Sequence, residues 1–330
     1  MSEPLIVAIP SKGRLQENTS GFFKQAGLIV ERPGGDRNYR GRFKGLEGVE
    51  IAFLSASEIS SELASGTVHF GITGLDLVHE KMPDVSDRDA IVHPVLPLGF
   101  GHADVVLAVP DQWIDVESMM DLTDVALDFR AGNRARLRVA TKYINLTNAF
   151  FAERGFTDYR IVESLGATEG APAAGAAEVI VDITTTGSTL RANDLRVLDD
   201  GILLRSEAHL IAAKTANWTA GALASAREIL MRIAAQKLAQ GLKILTVANP
   251  VNGLLRTRLE NDFNCQFPFR STGAEAETTI LYAPNHAIFS VVNALQDHDI
   301  GHIAVTDPEY VFTRDDRLYG ELKRALPDTG

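Results

Sequence analysis

The residues best suited to chemistry run from Glu178 to Leu190, EVIVDITTTGSTL. An apolar run ends in the carboxylate of Asp182, and Thr184, Thr185, Thr186, Gly187, Ser188 and Thr189 follow. Gly187 permits a tight turn that brings successive backbone N–H groups to bear on one point. Ser188 and Thr189 suit the N-cap of a following helix, and the free N–H groups of a helix start attract an anion. The hydroxyls add donors for phosphate oxygens without adding charge. Asp182, fixed at a strand end, can hold sugar hydroxyls or a magnesium ion. A phosphate site beside a carboxylate poised over hydroxyls matches a phosphorylated sugar. Read alone, the same run also fits a strand–turn–helix with an ordinary threonine-rich cap.

Three further places carry groups of the right type. Lys12, Gly13 and Arg14 follow the first apolar run, where open α/β sheets place their ligands, and two cations beside a glycine suit a pyrophosphate or triphosphate. A solvated loop would look the same. Gly71-Ile72-Thr73-Gly74 leads toward Asp76, and its glycines allow a flat base or a sugar to approach the backbone. A plain strand-end turn fits that pattern equally. Thr141-Lys142-Tyr143 offers a cation for a departing pyrophosphate and a ring for stacking. Arg130, Arg134, Arg136 and Arg138 lie just upstream and read better as a solvated loop than as a binding site, although Arg134 or Arg136 could reach an anion. Glu163 and Glu169 bring carboxylates toward the same region, or serve as surface and helix-start acids. The eight histidines show no metal spacing, and one cysteine, Cys265, excludes an internal disulfide and a cysteine-rich zinc site. No site made wholly of protein ligands is expected for a metal; magnesium carried by phosphates is.

These groups need strands and helices to position them. Apolar runs at 5–9, 49–54 and 68–73 alternate with helical periodicity at 15–26 and 58–64, which predicts a mostly parallel, doubly wound α/β sheet. Runs at 104–109, 137–141, 159–163 and 178–183 repeat the pattern as a second lobe, with a crossover helix over 145–154. Residues 82–89 read as a surface loop, and 195–198 and 202–213 as strands. A long helix is predicted over 220–240 from apolar positions at 3.6-residue spacing. Beyond it the order is β (242–248), α (252–260), β (266–270), β (278–283), α (287–297), β (302–306), the ferredoxin-like βαββαβ arrangement.

Composition sets the outer bounds. With 330 residues, 45% hydrophobic and 23% charged, the chain is long enough for two or three domains. A net charge of −11 argues against broad binding to nucleic acid or anionic membranes, so any polyanionic ligand needs a local basic or N–H-lined pocket. The first residues, Met1-Ser2-Glu3-Pro4, lack the basic start and apolar core of a signal peptide, and no apolar run approaches spanning length. A cytoplasmic location is expected.

Taken together, Lys12-Gly13-Arg14-Leu15, Gly71-Ile72-Thr73-Gly74-Leu75-Asp76, Arg138-Val139-Ala140-Thr141-Lys142-Tyr143 and the block EGAPAAGAAEVIVDITTTGSTLRAN from Glu169 to Asn193 resemble the ATP phosphoribosyltransferase family. Its enzymes open histidine biosynthesis by joining ATP to phosphoribosyl pyrophosphate, releasing pyrophosphate. The likeness covers residues 5–213 and carries several motifs in order. It implies two lobes similar to the type II periplasmic-binding-protein fold, lobe I from 1–100 and 194–240 and lobe II from 101–193, with 241–330 as an ACT-like regulatory domain.

By the same resemblance, Asp182, Thr184, Thr185, Thr186, Gly187, Ser188 and Thr189 would bind phosphoribosyl pyrophosphate. Gly13, Arg14, Gly71, Thr73, Gly74, Asp76 and Glu169 would hold ATP. Lys12, Arg14 and Lys142, with magnesium, would stabilise the departing charge, and Asp182 is a candidate magnesium contact. Histidine would inhibit through the C-terminal domain, and the chain would assemble into dimers or hexamers. Two departures stand out: many relatives have an arginine where this chain has Ser55-Ala56-Ser57-Glu58, and a proline where it has Ile144. A missing phosphate cation would then come from the 130–138 segment. Prephenate dehydratase is a rival, but its Thr-Arg pair occurs here only in Thr313-Arg314-Asp315, outside either lobe. A solute-binding protein of the same fold would have no need of the sugar-phosphate loop, and a separate regulatory subunit sits poorly with the extra C-terminal residues.

Overall fold

The computed structural model describes residues 3–327 except 34, 36, 37, 134, 165, 249, 270–277 and 315. They divide into two compact units. The first holds the chain up to Phe22, Ile29–Ser225 and the stretch from Glu321; the second holds Phe23–Leu28 and Ala226–Gly320.

In the first unit the chain runs β1 (Leu5–Pro10), α1 (Gly13–Gln25), β2 (Val30–Glu31), β3 (Arg40–Phe43), β4 (Val49–Leu54), α2 (Ala56–Ser65), β5 (Phe70–Gly74), α3 (Leu75–Lys81), α4 (Val85–Ile91) and β6 (Val92–Pro97). These strands and β12 (Ala208–Ala213) make a seven-stranded sheet of order β2-β3-β4-β1-β5-β12-β6. β1 pairs in parallel with β4 and β5. It is buried along nearly its whole length, as a strand covered on both faces should be. β12 runs antiparallel to β5 and β6.

A second sheet takes β7 (Ala103–Pro110), β8 (Leu137–Thr141), β9 (Tyr159–Glu163), β10 (Val179–Thr184) and β11 (Leu195–Ser206) in the order β11-β7-β10-β8-β9. Helices α5 (Met119–Asn133), α6 (Ile144–Glu153) and α7 (Ser188–Ala192) accompany it. Its core gathers Val105, Leu107, Leu122, Leu137, Val139, Phe151, Val179 and Val181, all fully buried. The chain crosses between the sheets twice, and the crossings pair with each other: Leu98 N–H donates to Ala208 O (2.9 Å), Ala208 N–H to Phe100 O (3.0 Å).

Three expectations are corrected in this unit. Residues 82–89 are not all loop, because Asp84 accepts from Asp87 N–H (3.0 Å) and starts α4. The strand expected over 202–213 is two strands, broken at Glu207. Finally, 195–206 pairs with β7 in the second sheet, so the first sheet takes up the chain again at β12 rather than at residue 194.

The helix α8 (Ala220–Gln240) continues into the second unit, which contains β13 (Leu242–Ala248), α9 (Gly253–Phe263), β14 (Thr278–Pro284), α10 (Ile288–Gln296) and β15 (Ile303–Thr306); α11 (Arg317–Ala325) follows. β13 lies between β14 and β15, antiparallel to both. Leu245, Val247, Leu255, Leu259, Leu281, Val291 and Leu295 form its core. The strand expected over 266–270 appears as a single antiparallel bridge, Gln266 to Tyr282, and Arg270 lies outside the described residues. Among the described residues no helix is long and apolar enough to cross a membrane.

Candidate active site

Register explains why two residues 40 positions apart in the chain stand together. β8 and β10 are parallel neighbours with Thr141 opposite Val181, so Lys142, just past the end of β8, comes level with Asp182, which lies within β10 opposite Val106 of β7. Lys142 Nζ stands 3.8 Å from Asp182 Oδ1, and Ile183 N–H donates to the same oxygen at 2.8 Å. Burial pushes the Asp182 carboxyl above its ordinary range; the Ile183 N–H and Lys142 oppose that shift, and the nearby Glu169 charge adds to it. Glu169 itself sits in a short 3₁₀ turn, Thr168–Gly170.

Beyond Asp182 the hydroxyl loop folds on itself. Thr184 Oγ1 accepts from Gly187 N–H (2.9 Å), and Thr186 Oγ1 donates to Ser188 Oγ (3.0 Å). The expected N-cap is corrected: Gly187, at φ +69°, holds that position and makes no side-chain cap. A left-handed φ favours glycine. Ser188 and Thr189 are thereby left exposed, with hydroxyls free of the cap role. Together with Thr184, Thr185, Thr186 and Arg14 they line a cavity of about 420 Å³. Arg14 comes from the first turn of α1, so one lobe supplies a guanidinium and the other a ring of hydroxyls. Lys12, just before α1, and Gly13, its first residue, are both exposed. Such an arrangement can hold a phosphate by charge-assisted and hydroxyl hydrogen bonds, with a carboxylate and an ammonium one strand end away.

The Gly71–Asp76 turn lies deeper than its motif suggests. A Cβ on Gly71 would come within 2.7 Å of Ile59 Cγ2 and 2.9 Å of Leu63 Cδ1, and one on Gly74 within 2.2 Å of Asp76 Oδ1. These glycines let α2 and Asp76 approach the strand. Thr73 is buried and donates to Ala56 O (2.9 Å). Asp76, 5% exposed, accepts from Tyr143 Oη (2.8 Å) and from Ser206 Oγ (2.7 Å), while its own N–H donates to Ser206 Oγ (3.0 Å). The Tyr143 ring is therefore buried rather than offered for stacking, with Lys142 Nζ 5.1 Å from its centroid. Burial and the Asp76 charge drive the phenol far above its ordinary pKa, so it stays a donor.

Sequence reasoning missed a second link between the lobes. Glu80 of α3 accepts from Asn145 N–H and Leu146 N–H, each at 3.0 Å, and so caps α6 from outside the helix. Burial raises its carboxyl, and these N–H bonds oppose the shift. No signal in the sequence marks Glu80 or Ser206, because their partners are 65 and 130 residues away.

The 130–138 cations are mostly committed elsewhere. Arg130 pairs with Asp158, and Arg138 grips Glu178 through Nε (3.1 Å) and Nη2 (2.5 Å). Arg136 is exposed, and Arg134 lies outside the described residues. Ser55 and Glu58 form a capping box for α2, Ser55 Oγ accepting from Glu58 N–H and Glu58 Oε2 from Ser55 N–H. Of the Thr313-Arg314-Asp315 triplet, the first two residues lie in the second unit and Asp315 outside the described residues.

A model of the ATP phosphoribosyltransferase family, HisG, matches residues 55–235. The ATP phosphoribosyltransferase of Bradyrhizobium sp. (strain ORS 278) is 50% identical over 327 residues, 99% of each chain. That of Rhodopseudomonas palustris (strain BisB18) is 49% identical over the same span. Among solved structures, the ATP phosphoribosyl transferase (HisG:HisZ) complex from Thermotoga maritima aligns with a TM-score of 0.53 at 24% identity, over 70% of this chain and 96% of that one, which shows a shared fold. This chain belongs to the ATP phosphoribosyltransferase family and, aligned over 327 residues, has the length of its long form.

Proposed function

We infer that the protein transfers the 5-phosphoribosyl group of phosphoribosyl pyrophosphate to N1 of ATP, releasing pyrophosphate and forming N1-(5-phosphoribosyl)-ATP, the first step of histidine biosynthesis. One observation carries this reading: a chain 50% identical throughout to an ATP phosphoribosyltransferase sets a guanidinium against a hydroxyl loop beside the half-buried Asp182 and its neighbour Lys142. Adenine N1 is itself a nucleophile. It attacks the anomeric carbon as the bond to pyrophosphate breaks, and no covalent enzyme intermediate is needed. The protein aligns the two substrates and stabilises the charge that leaves.

In this reading Thr184–Thr189 hold the 5-phosphate and Asp182 the ribose hydroxyls. Lys142, Arg14 and Lys12 face the pyrophosphate. Of the positions assigned to ATP, Gly13, Arg14 and Glu169 meet the nucleotide, while Gly71, Thr73, Gly74 and Asp76 shape the wall from beneath. Magnesium fits a donor set of one carboxylate and several hydroxyl oxygens. Asp182 would hold it, and it would neutralise phosphate charge. The lobes are read as periplasmic-binding-protein-like, and the second unit as an ACT-like domain that binds histidine and inhibits. Exposed apolar residues such as Phe289 and Leu254 favour dimers or hexamers. A cytoplasmic site of action fits the substrates.

The test is pyrophosphate release by purified protein given ATP, phosphoribosyl pyrophosphate and magnesium, with and without histidine. Release that requires both substrates supports the transfer, and its fall with histidine supports the regulation. Folded protein that releases nothing refutes the transferase reading for the chain acting alone.

A further inference from the structure

Beside the Glu80 cap, and apart from the hydroxyl loop, the first unit has a second, half-open cavity of about 190 Å³. His79 of α3 and Arg88 of α4 line one side; Asn145, Phe150 and Glu153 of α6 and Leu204 of β11 line the other. Ligand sites for larger molecules run to about 300–1,000 Å³, so this one admits only a compact molecule.

Its polar groups are distributed and largely uncommitted. Arg88 donates through Nη1 to Met82 O (3.2 Å), and the rest of its planar fork has no other hydrogen bond among the described residues. The amide nitrogen of Asn145 donates to Glu80 O (2.8 Å), which leaves its carbonyl oxygen to accept. Glu153 is 76% exposed and has only a loose contact, 3.8 Å, with its neighbour Arg154. Arg154 is otherwise occupied over the Phe150 ring, 3.6 Å from its centroid. Burial and the Arg88 charge lower the His79 imidazole to about 4, so His79 enters neutral and Arg88 is the cation on its side.

We propose that this cavity binds a small α-amino acid with an apolar side chain. The carboxylate would sit on the Arg88 fork, the ammonium between Glu153 and the Asn145 carbonyl, and the side chain against Phe150 and Leu204. A carboxylate on a guanidinium is the strong, orienting contact. The apolar wall selects against a bare anion. The occupant would touch α3–α4 of one lobe and α6–β11 of the other, next to the bond from Asn145 to Glu80. It would thus favour one arrangement of the lobes over another and act as an effector. That last step rests on the transferase reading; the binding does not.

The experiment is calorimetric titration of the full chain with L-leucine, with isoamylamine (no carboxylate) and 4-methylpentanoate (no ammonium) as controls. L-leucine is expected to bind at least about tenfold more tightly than either control, a difference of about 1.4 kcal/mol. Arg88→Gln and Ala149→Trp, the latter filling the cavity from an exposed position of α6, should each weaken binding about tenfold or more. Melting curves of both variants identify any that fail to fold, and the other then decides. No binding of L-leucine by folded protein up to about 10 mM, equal binding of either control, or affinity unchanged in a folded variant overturns the proposal. Binding that leaves pyrophosphate release unaltered keeps the site and removes the effector role.

Discussion

At the residue scale, the half-buried Asp182 carboxylate carries a cost in stability. Its folded carboxyl is raised, mainly by burial, so the folded protein holds that proton more tightly than the unfolded chain does. The stability from this difference is complete below the ordinary carboxylate range and is lost as pH rises through the raised value. Asp182→Asn removes the ionisation. It should be more stable than the parent at neutral pH by chemical denaturation, with the gain vanishing in acid below the carboxylate range, while kcat/KM for phosphoribosyl pyrophosphate falls about 100-fold or more. A variant that is no more stable at neutral pH would show that Lys142 and the Ile183 N–H already offset the desolvation. Tyr143→Phe tests a second pair, Tyr143 and Asp76, which is buried. It strips one donor from the enclosed Asp76 carboxylate and should cost about 1–3 kcal/mol of unfolding free energy. That Asp182 and Lys142 each lie at the end of an apolar run was legible; their pairing was not, because it depends on the register of β8 against β10. Nor was the burial of Tyr143, since its partner Asp76 belongs to the other lobe.

Elements carry the next set of consequences. Glu80 and α6 form a helix cap assembled from two lobes, a device that neither local sequence announces. Glu80→Ala should lose about 1 kcal/mol, lower Tm by about 2–4 °C, and reduce kcat more than stability explains, because Lys142 sits just before the helix so released. Glu80→Gln, which keeps one acceptor oxygen, should restore much of both; a variant with lowered Tm and full kcat would show that α6 does not position Lys142. Gly71→Ala would force a methyl into Ile59 and Leu63 of α2, an overpacking expected to cost about 1–3 kcal/mol. The strand–loop–helix units were readable because each announces itself locally, by an apolar run, a glycine or a hydroxyl cap. The failures are of two kinds. Residues 82–89 look like loop because Pro83 and a run of charges hide the Asp84 cap. Residues 195–206 pair with β7 in the second sheet rather than joining the first, and an apolar strand carries no mark of which sheet it will join.

For the whole molecule, the proposed regulation makes a claim about place. The second unit has its own core, built from β13, α9, β14 and α10 around Leu245, Leu259, Leu281 and Val291, as a domain that binds a ligand by itself would require. A ligand that binds only the native state stabilises what it touches by mass action, and hydrogen exchange reports that stabilisation segment by segment. If histidine acts through the second unit, adding it to the full chain should slow exchange most in β13, α9, β14, α10 and β15. Slowing confined to α3, α4 and α6 would instead place the inhibitor in the small cavity beside Glu80, and slowing confined to the 184–189 loop would make histidine a competitor of the sugar phosphate. Each pattern predicts a different variant that abolishes inhibition: in the first case a substitution in the second unit, in the second Arg88→Gln, and in the third none that spares catalysis.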